Sequence, residues 1–485
     1  MPRRLVPVAV LSAILAVLGL AVANHPSAGA ATAPGFETFF LPRTMRLDYF
    51  HTGGVGREIV ALDRVVADGP WAGSLTRLLD DLNLGSYFFE VVDPGTNRIL
   101  YSRGFASMYG EWETTDEPKA SSRTFHESLR FPWPKHPVAV VLKKRGPDGL
   151  FHEIWSTHVD PDSRFVNAAE APPAGKVWVL FLNGPPTEKV DLVILGEGYT
   201  QAETPKFHAD ARRLVDRLFA TEPFAGRKSD FNVRAIDLPC AESGVNRPQV
   251  GRFRRTPVSA EYNIFDSERY LLTFDNRALR DVLAEAPYEF VEILVNEKQY
   301  GGGGIFNDQA TAAVDTAFAN YVFVHEFGHH FAGLADEYYM SPVAYTESRP
   351  DRPEPWEPNI TALRDPAQLK WRDLVGAGTP VPTPWDKDGW EKTAREFLEK
   401  RQELIRRKAP ESDFDALFRE QQRADTPRLS GMPYSGKVGA FEGASYETKG
   451  LYRGQTDCIM FTRDEVGFCK VCRRAIERVI DLYSR

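Results

Sequence analysis

Cysteine is scarce in this chain. There are four among 485 residues, and three of them crowd together as Cys458, Cys469 and Cys472 while Cys240 stands apart. Cys469-x-x-Cys472 has no second Cys-x-x-Cys and no histidine near it, which argues against a structural zinc site and leaves disulfide bonding as the expectation. Basic clusters are missing too. With a net charge of −8, the chain is not built to take nucleic acid as its main partner. Nor is there a bias toward disorder: 42% of residues are hydrophobic and 26% charged, as in ordinary folded proteins. Past residue 23 no apolar run is long enough to span a bilayer. Gly196-x-Gly198 lacks a third glycine and a Lys-Ser/Thr pair, so it reads as a tight turn, not a phosphate loop.

What is present begins with a targeting segment. Arg3 and Arg4 precede an apolar run over 5–23, and Ala28-Gly29-Ala30 supplies a small-residue cleavage site. Residues 1–30 are therefore expected to be a signal peptide, leaving an exported protein with no membrane span (secreted, periplasmic or on the cell surface). Pro7 and the alanine-rich tail favour cleavage over the alternative, an uncleaved anchor.

Two patterns follow. Over 36–165, runs at 44–50, 87–92, 99–101 and 138–143 collect β-branched and aromatic residues between turn signals. They predict a β-sandwich, interrupted only by a short helix near 75–82. Ala171-Pro172-Pro173-Ala174-Gly175 is the candidate linker. Over 176–485 the period changes: strands at 190–195, 231–238, 290–295 and 310–314 alternate with helices at 203–221 and 278–286, indicating an α/β catalytic domain. Gly302, Gly303 and Gly304 leave backbone bare of side chains, which suits either a strand edge that binds extended peptide or a flexible hairpin. A charged stretch at about 385–425 reads as a helical surface insertion carrying i,i+4 charge pairs.

The chemistry is concentrated in one stretch, His325-Glu326-Phe327-Gly328-His329. On a helix of 3.6 residues per turn, His325 and His329 lie about 40° apart and Glu326 about 100° from the first. One narrow polar arc thus offers two imidazoles to a zinc ion and a carboxylate to water. A catalytic zinc takes a third protein ligand. An unbroken helix would carry Asp336 roughly 10 Å beyond His329. Gly333 is able to end the helix in the left-handed conformation and let the chain present Asp336, or its neighbour Glu337. His330 points away from His329 and is expected to be packed, not a ligand.

These residues, with Glu442-Gly-Ala, Gly450-Leu-Tyr-Arg453, Cys458-Ile-Met460 and Phe468-Cys-x-Val-Cys472-Arg, resemble the bacterial IgA-peptidase family of zinc metallopeptidases. Thr44-Met-Arg-Leu-Asp-Tyr-Phe-His51, Tyr101-Ser-Arg-Gly-Phe105, Glu111-Trp112 and Arg123-Thr-Phe-His126-Glu-Ser128 resemble that family's N-terminal domain. The resemblance implies an α+β multidomain protein: a β-sandwich followed by a metzincin-like α/β domain with Met460 in a methionine turn beneath the zinc. Counting three residues from Gly333 selects Asp336 as third ligand. The wider pattern has its glycine one residue nearer the second histidine, so Glu337 remains the alternative.

The implied function is a zinc-dependent endopeptidase acting on protein or peptide, with Glu326 activating the attacking water and Tyr446 or Tyr452 as the oxyanion donor. Two other classes are an adhesion protein whose β-domain binds glycan or protein, and a zinc amidase or esterase.

Overall fold

The computed structural model describes residues 35–170, 172–340 and 353–484, so the expected signal segment at 1–30 lies outside the described residues. Among the described residues no helix is long and apolar enough to cross a membrane.

The front of the chain is β-rich. After one helical turn, α1 (Phe36–Phe39), come β1 (Phe40–Gly54), β2 (Arg57–Pro70), β3 (Tyr87–Asp93) and β4 (Arg98–Phe105). A short helix α2 (Met108–Glu113) separates them from β5 (Arg123–Pro134), β6 (Val138–Arg145), β7 (Phe151–Val159) and β8 (Val166–Asn167). They form two four-stranded sheets, β5-β1-β2-β8 and β4-β3-β6-β7. Period-two burial drives the pairing of faces: Phe125, Glu127, Leu129 and Phe131 are buried along β5, with less buried residues between. Tyr49 of one sheet stacks on Trp155 of the other at 6.2 Å, and Phe89 meets Phe131 at 6.5 Å. Each fully buried side chain of this kind contributes roughly 1.5–3 kcal/mol.

The helix expected near 75–82 does not form. The carbonyl of Leu78 is taken across the chain by the Ser102 amide at 3.0 Å and by Arg103 Nη1 at 3.1 Å, and the Arg77 amide donates to Ser74 Oγ. Side chains and neighbouring strands satisfy the backbone there, so no i→i+4 ladder is needed.

The rest is organised by a six-stranded sheet. Its elements are β9 (Lys176–Phe181), β10 (Val190–Glu197), α3 (Thr204–Leu218), β11 (Phe231–Asp237), α4 (Asn276–Leu283), β12 (Phe290–Val295), β13 (Gly302–Ile305), β14 (Gln309–Ala313) and α5 (Ala319–Ala332). The order is β13-β14-β12-β10-β11-β9. The four inner strands are parallel, and both outer ones antiparallel to their neighbours. Every residue of β10 and β12 is buried, which is why their sequences are largely apolar without alternation; Asp191, Glu197 and Glu292 are the buried carboxylates among them.

Beyond α5 come β15 (Ile360–Thr361), α6 (Lys387–Arg406), α7 (Glu411–Ser430), β16 (Phe441–Ala444), β17 (Glu447–Arg453) and α8 (Lys470–Tyr483). The pair α6–α7 occupies the stretch read as a surface insertion, and that reading needs correction. Its outer faces are charged, but Trp390, Phe397, Phe414 and Phe418 are buried, and Arg269 binds Glu411 at 2.7 Å. The hairpin is a wall of the central cleft.

The two halves pack closely. The Arg130 guanidinium lies 3.4 Å from the centre of the Tyr288 ring, and the Ala106 amide donates to the Phe306 carbonyl at 2.9 Å. Of the expected linker, Ala171 lies outside the described residues, and Gly175 is held by Glu285 Oε1 at 2.9 Å.

Candidate active site

The helix α5 is apolar on almost every side and buried against β13, β14 and α8, leaving His325, Glu326 and His329 as its polar arc. Close approach explains the glycine run. A methyl group at Gly302 would sit 2.6 Å from Val322 Cγ1 and 2.9 Å from Glu326 Cγ, and one at Gly304 would sit 2.8 Å from His329 Cβ. The glycines let β13 lie directly on the helix. The strand addition expected at this edge is closed at Gly302, whose amide and carbonyl already pair with Arg269 and Leu271. Gly303 faces Tyr270 and Leu271, and Gly304 lines the cleft.

Gly333 ends the helix with φ 59° and ψ 33°, the left-handed conformation that lets its amide return to the His329 carbonyl at 3.0 Å. Asn359 then clamps the amide and carbonyl of Ala335 at 2.8 and 2.9 Å. The chain is thereby turned back, and Asp336 Oδ1 comes 3.1 Å from His325 Nε2 and 3.2 Å from His329 Nε2. Glu337 points the other way. Its Oε1 meets Asn359 Nδ2 at 3.0 Å and Cys472 Sγ at 3.2 Å.

The tautomers follow from the partners. His325 Nδ1 lies 2.9 Å from the Ile459 carbonyl and His329 Nδ1 lies 2.5 Å from the Leu334 carbonyl. A carbonyl only accepts, so each Nδ1 carries the proton and each neutral ring keeps its lone pair on Nε2. Those two Nε2 atoms face each other at 3.1 Å, and Asp336 Oδ1 closes a near-equilateral triangle with them. Only a cation relieves that arrangement. A proton on His329 is one solution: burial opposes it, but Asp336 and Glu326 outweigh burial and raise this imidazole to about 9. The same neighbourhood holds Asp336 well below the usual carboxylate range despite its burial. A metal ion is the other. Zinc bonds of about 2.0–2.1 Å place tetrahedral ligand atoms roughly 3.3 Å apart, close to the spacings found. The three residues fit a His-His-Asp metal site, and all three line the cleft.

Glu326 presents a carboxylate oxygen within 4.8 Å of a ring nitrogen of each histidine. Burial raises its pKa, partly offset by the two imidazoles. His330 is packed: its Nδ1 donates to the Ile305 carbonyl, its Nε2 accepts the Val291 amide, and burial lowers it to about 3. Met460 is buried beneath α5, its sulfur 3.2 Å from where a methyl at Gly328 would lie.

Of the two tyrosine candidates, only Tyr446 reaches the site. It sits with Ser445 at the two-residue tip between β16 and β17, both with positive φ (63° and 47°). Such a turn favours Asn-Gly, and holding larger residues there costs roughly 1–3 kcal/mol each. The strained tip puts the Tyr446 hydroxyl on Asp336 Oδ2 and 3.2 Å from the Tyr338 hydroxyl. Tyr452 stands on β17, opposite Thr361 and Glu442, away from the cleft.

The cleft has a volume of about 760 Å³. One of its walls comes from the N-terminal half, which sequence reading missed. Ser107 caps α2 by accepting the Gly110 amide at 3.2 Å, and Glu127 accepts the Tyr109 amide at 3.0 Å. This helix brings Glu111 to the cleft, where burial pushes its carboxyl up to about 7 against the pull of His329. No local pattern places Glu111 at the cleft, because its partners there, Tyr270, His329 and Asp336, lie more than one hundred and fifty residues away.

The expected disulfides are not present. All four cysteines are free thiols; Cys469 and Cys472 sulfurs are 3.5 Å apart and Cys458 and Cys472 sulfurs 3.8 Å, against about 2.05 Å for a bond.

The family model described as IgA Peptidase M64 matches residues 179–480, and the model described as Peptidase M64 N-terminus matches 35–156. No curated protein matches the chain.

Proposed function

From membership of the IgA Peptidase M64 family, to which this chain belongs and which makes it a peptidase, we propose an exported, zinc-dependent endopeptidase with a metzincin-like catalytic domain. His325, His329 and Asp336 are its ligands, Glu326 its general base and Met460 its methionine turn. The observation that carries this reading is the convergence of two Nε2 lone pairs and one carboxylate oxygen at 3.1–3.2 Å beside the Glu326 carboxylate. The apolar segment at 5–23 with its small-residue site supports export.

His325, His329 and Asp336 would hold the zinc, which when bound would supply Lewis acidity to the attacking water and the scissile carbonyl. Glu326 takes a proton from the attacking water and delivers it to the amine as the C–N bond breaks. Its burial raises its proton affinity, the direction a group that takes and returns a proton needs. Tyr446, already at the site through Asp336, supplies the hydroxyl donor to the developing oxyanion. Trp390, Phe397 and Phe418 give the cleft an apolar wall for substrate side chains, with Arg401 and Arg463 as cationic groups among them.

The test is Glu326→Gln. It should keep its metal, measured by elemental analysis, while cleavage of casein and of a peptide library falls by about 10²–10⁴. Cleavage at the wild-type rate would overturn the assignment of the base.

A further inference from the structure

Behind the active-site floor, Glu337, Cys458, Cys469 and Cys472 bring one carboxylate oxygen and three sulfurs together, all within 4.8 Å of one another. We propose that these four residues form a second, structural zinc site, closed on all sides and distinct from the histidine site.

The geometry has the scale of metal coordination. Zn–S bonds of about 2.3 Å set tetrahedral sulfurs about 3.8 Å apart, and a Zn–O bond of about 2.1 Å sets sulfur and oxygen about 3.6 Å apart. The sulfur pairs measured are 3.5 and 3.8 Å, and Glu337 Oε1 lies 3.2 Å from Cys472 Sγ and 3.9 Å from Cys469 Sγ. A disulfide needs two of these sulfurs at about 2.05 Å and leaves the third thiol and the carboxylate without a role.

Burial makes the same point. Glu337, Cys458 and Cys472 are 0% exposed and Cys469 is 5% exposed. Glu337 Oε2 has no hydrogen-bond partner, and its Oε1 is held by Asn359 Nδ2 at 3.0 Å. A carboxylate withdrawn from water with one oxygen unpartnered is costly, and a cation among the sulfurs would add to what the Arg453 guanidinium offsets. Three thiolates and one carboxylate, tetrahedral and without an open position, select zinc over harder ions, and the closed ligand set marks a structural site. Binding displaces the three thiol protons to solvent. The ring of supporting groups is in place: the Cys469 amide donates to Cys458 Sγ at 3.3 Å, and the buried Arg453 guanidinium interacts electrostatically with Glu337 and Cys458.

The position gives the site its purpose. Glu337 follows Asp336 directly. Cys458 precedes Ile459, whose carbonyl orients His325, and Met460 lies next. Cys469 and Cys472 open α8. One ion here would fasten the loop after α5, the loop beneath it and the last helix to each other.

The experiment uses the full chain. His325→Ala/His329→Ala protein should retain one equivalent of zinc, and its zinc-edge X-ray absorption should show three sulfur neighbours at about 2.3 Å and one oxygen. Wild type should hold two equivalents, with sulfur and nitrogen neighbours averaged. Cys458→Ser/Cys472→Ser should lose the sulfur signal, and the histidine variant decides the matter even where the cysteine variant does not fold. The proposal is overturned if the histidine variant holds no sulfur-ligated metal, or if mass spectrometry of denatured, unreduced protein finds a disulfide among the three cysteines. Failure of the peptidase reading would look different: wild type would then hold only the sulfur-bound ion, unchanged by the histidine substitutions.

Discussion

The main-chain N–H of Glu337 donates to the carbonyl oxygen of Met460 at 2.7 Å. This bond ties the loop that delivers Asp336 to the loop lying under α5, so the position of Asp336 and the packing beneath His325 and His329 are set together. Met460→Ala leaves a cavity against Gly328 and should cost about 2–4 kcal/mol. Met460→Leu conserves volume and should cost less than about 1.5 kcal/mol. Denaturant midpoints measure both, and a similar loss for the two would show that the sulfur, not the volume, matters.

Tyr446 and Tyr452 are separated by only six positions, yet one touches Asp336 and the other does not. Tyr446→Phe should lower kcat on the order of 10² with KM little changed, as when one oxyanion donor is removed. Tyr452→Phe should leave kcat unchanged. Equal effects from the two would remove Tyr446 from the mechanism.

At Gly304 the helix carrying the histidines lies too close for any side chain. Gly304→Ala should destabilise the protein by about 1–3 kcal/mol through overpacking. It should also lower activity beyond what stability explains, because the methyl group meets His329 Cβ and the Glu326 backbone. Activity assayed well below the melting temperature separates the two effects; full activity there would show that the strand yields without moving the helix.

His51 is a buried imidazole of the N-terminal half, stacked on Tyr109 at 3.7 Å and bonded to Glu127 and Glu58 at 3.0 Å each. Burial lowers its pKa, but the two carboxylates outweigh burial and lift it to about 9. The folded value lies above the unfolded one of about 6.5. Its stabilisation is therefore fully present below pH 6.5 and is lost as pH rises through about 9, a change on the order of 3 kcal/mol at about 1.4 kcal/mol per pH unit. Unfolding free energies measured across that window should fall for wild type, and His51→Gln should flatten the slope. An unchanged slope would place the titration elsewhere. Since His51 steadies α2 through Tyr109 and Glu127, the same variant tests how firmly Glu111 is held at the cleft.

Much of the helix was legible because its information is local. Two imidazoles four residues apart, a glutamate beside the first and a glycine that ends the helix are properties of one turn and its cap, governed by 3.6 residues per turn and by the left-handed preference of glycine. The strands of β10 and β12 were equally readable, since a strand buried on both faces is mostly apolar and does not alternate, even with Asp191, Glu197 and Glu292 buried among the apolar residues. The bend at 75–82 was not, because its carbonyls are satisfied by Ser102 and Arg103 from another strand. The α6–α7 hairpin was misread for a related reason: mixed charge describes its outer face and says nothing of what Trp390 and Phe418 cover.

By itself the sequence determined that a helix with two histidines and a glutamate on one arc exists, which residues form that arc, and that a β-rich half precedes an α/β half. Tertiary structure alone decided that Asp336 turns to the histidines while Glu337 turns to the cysteines. Adjacent residues in an extended segment point to opposite sides, and which side faces the two histidines is set by the Asn359 clamp and the Met460 carbonyl, groups 23 and more positions distant. Glu111 reached the cleft, and three thiols met a carboxylate, by the same route: through contacts between segments far apart in the chain, which no local spacing encodes.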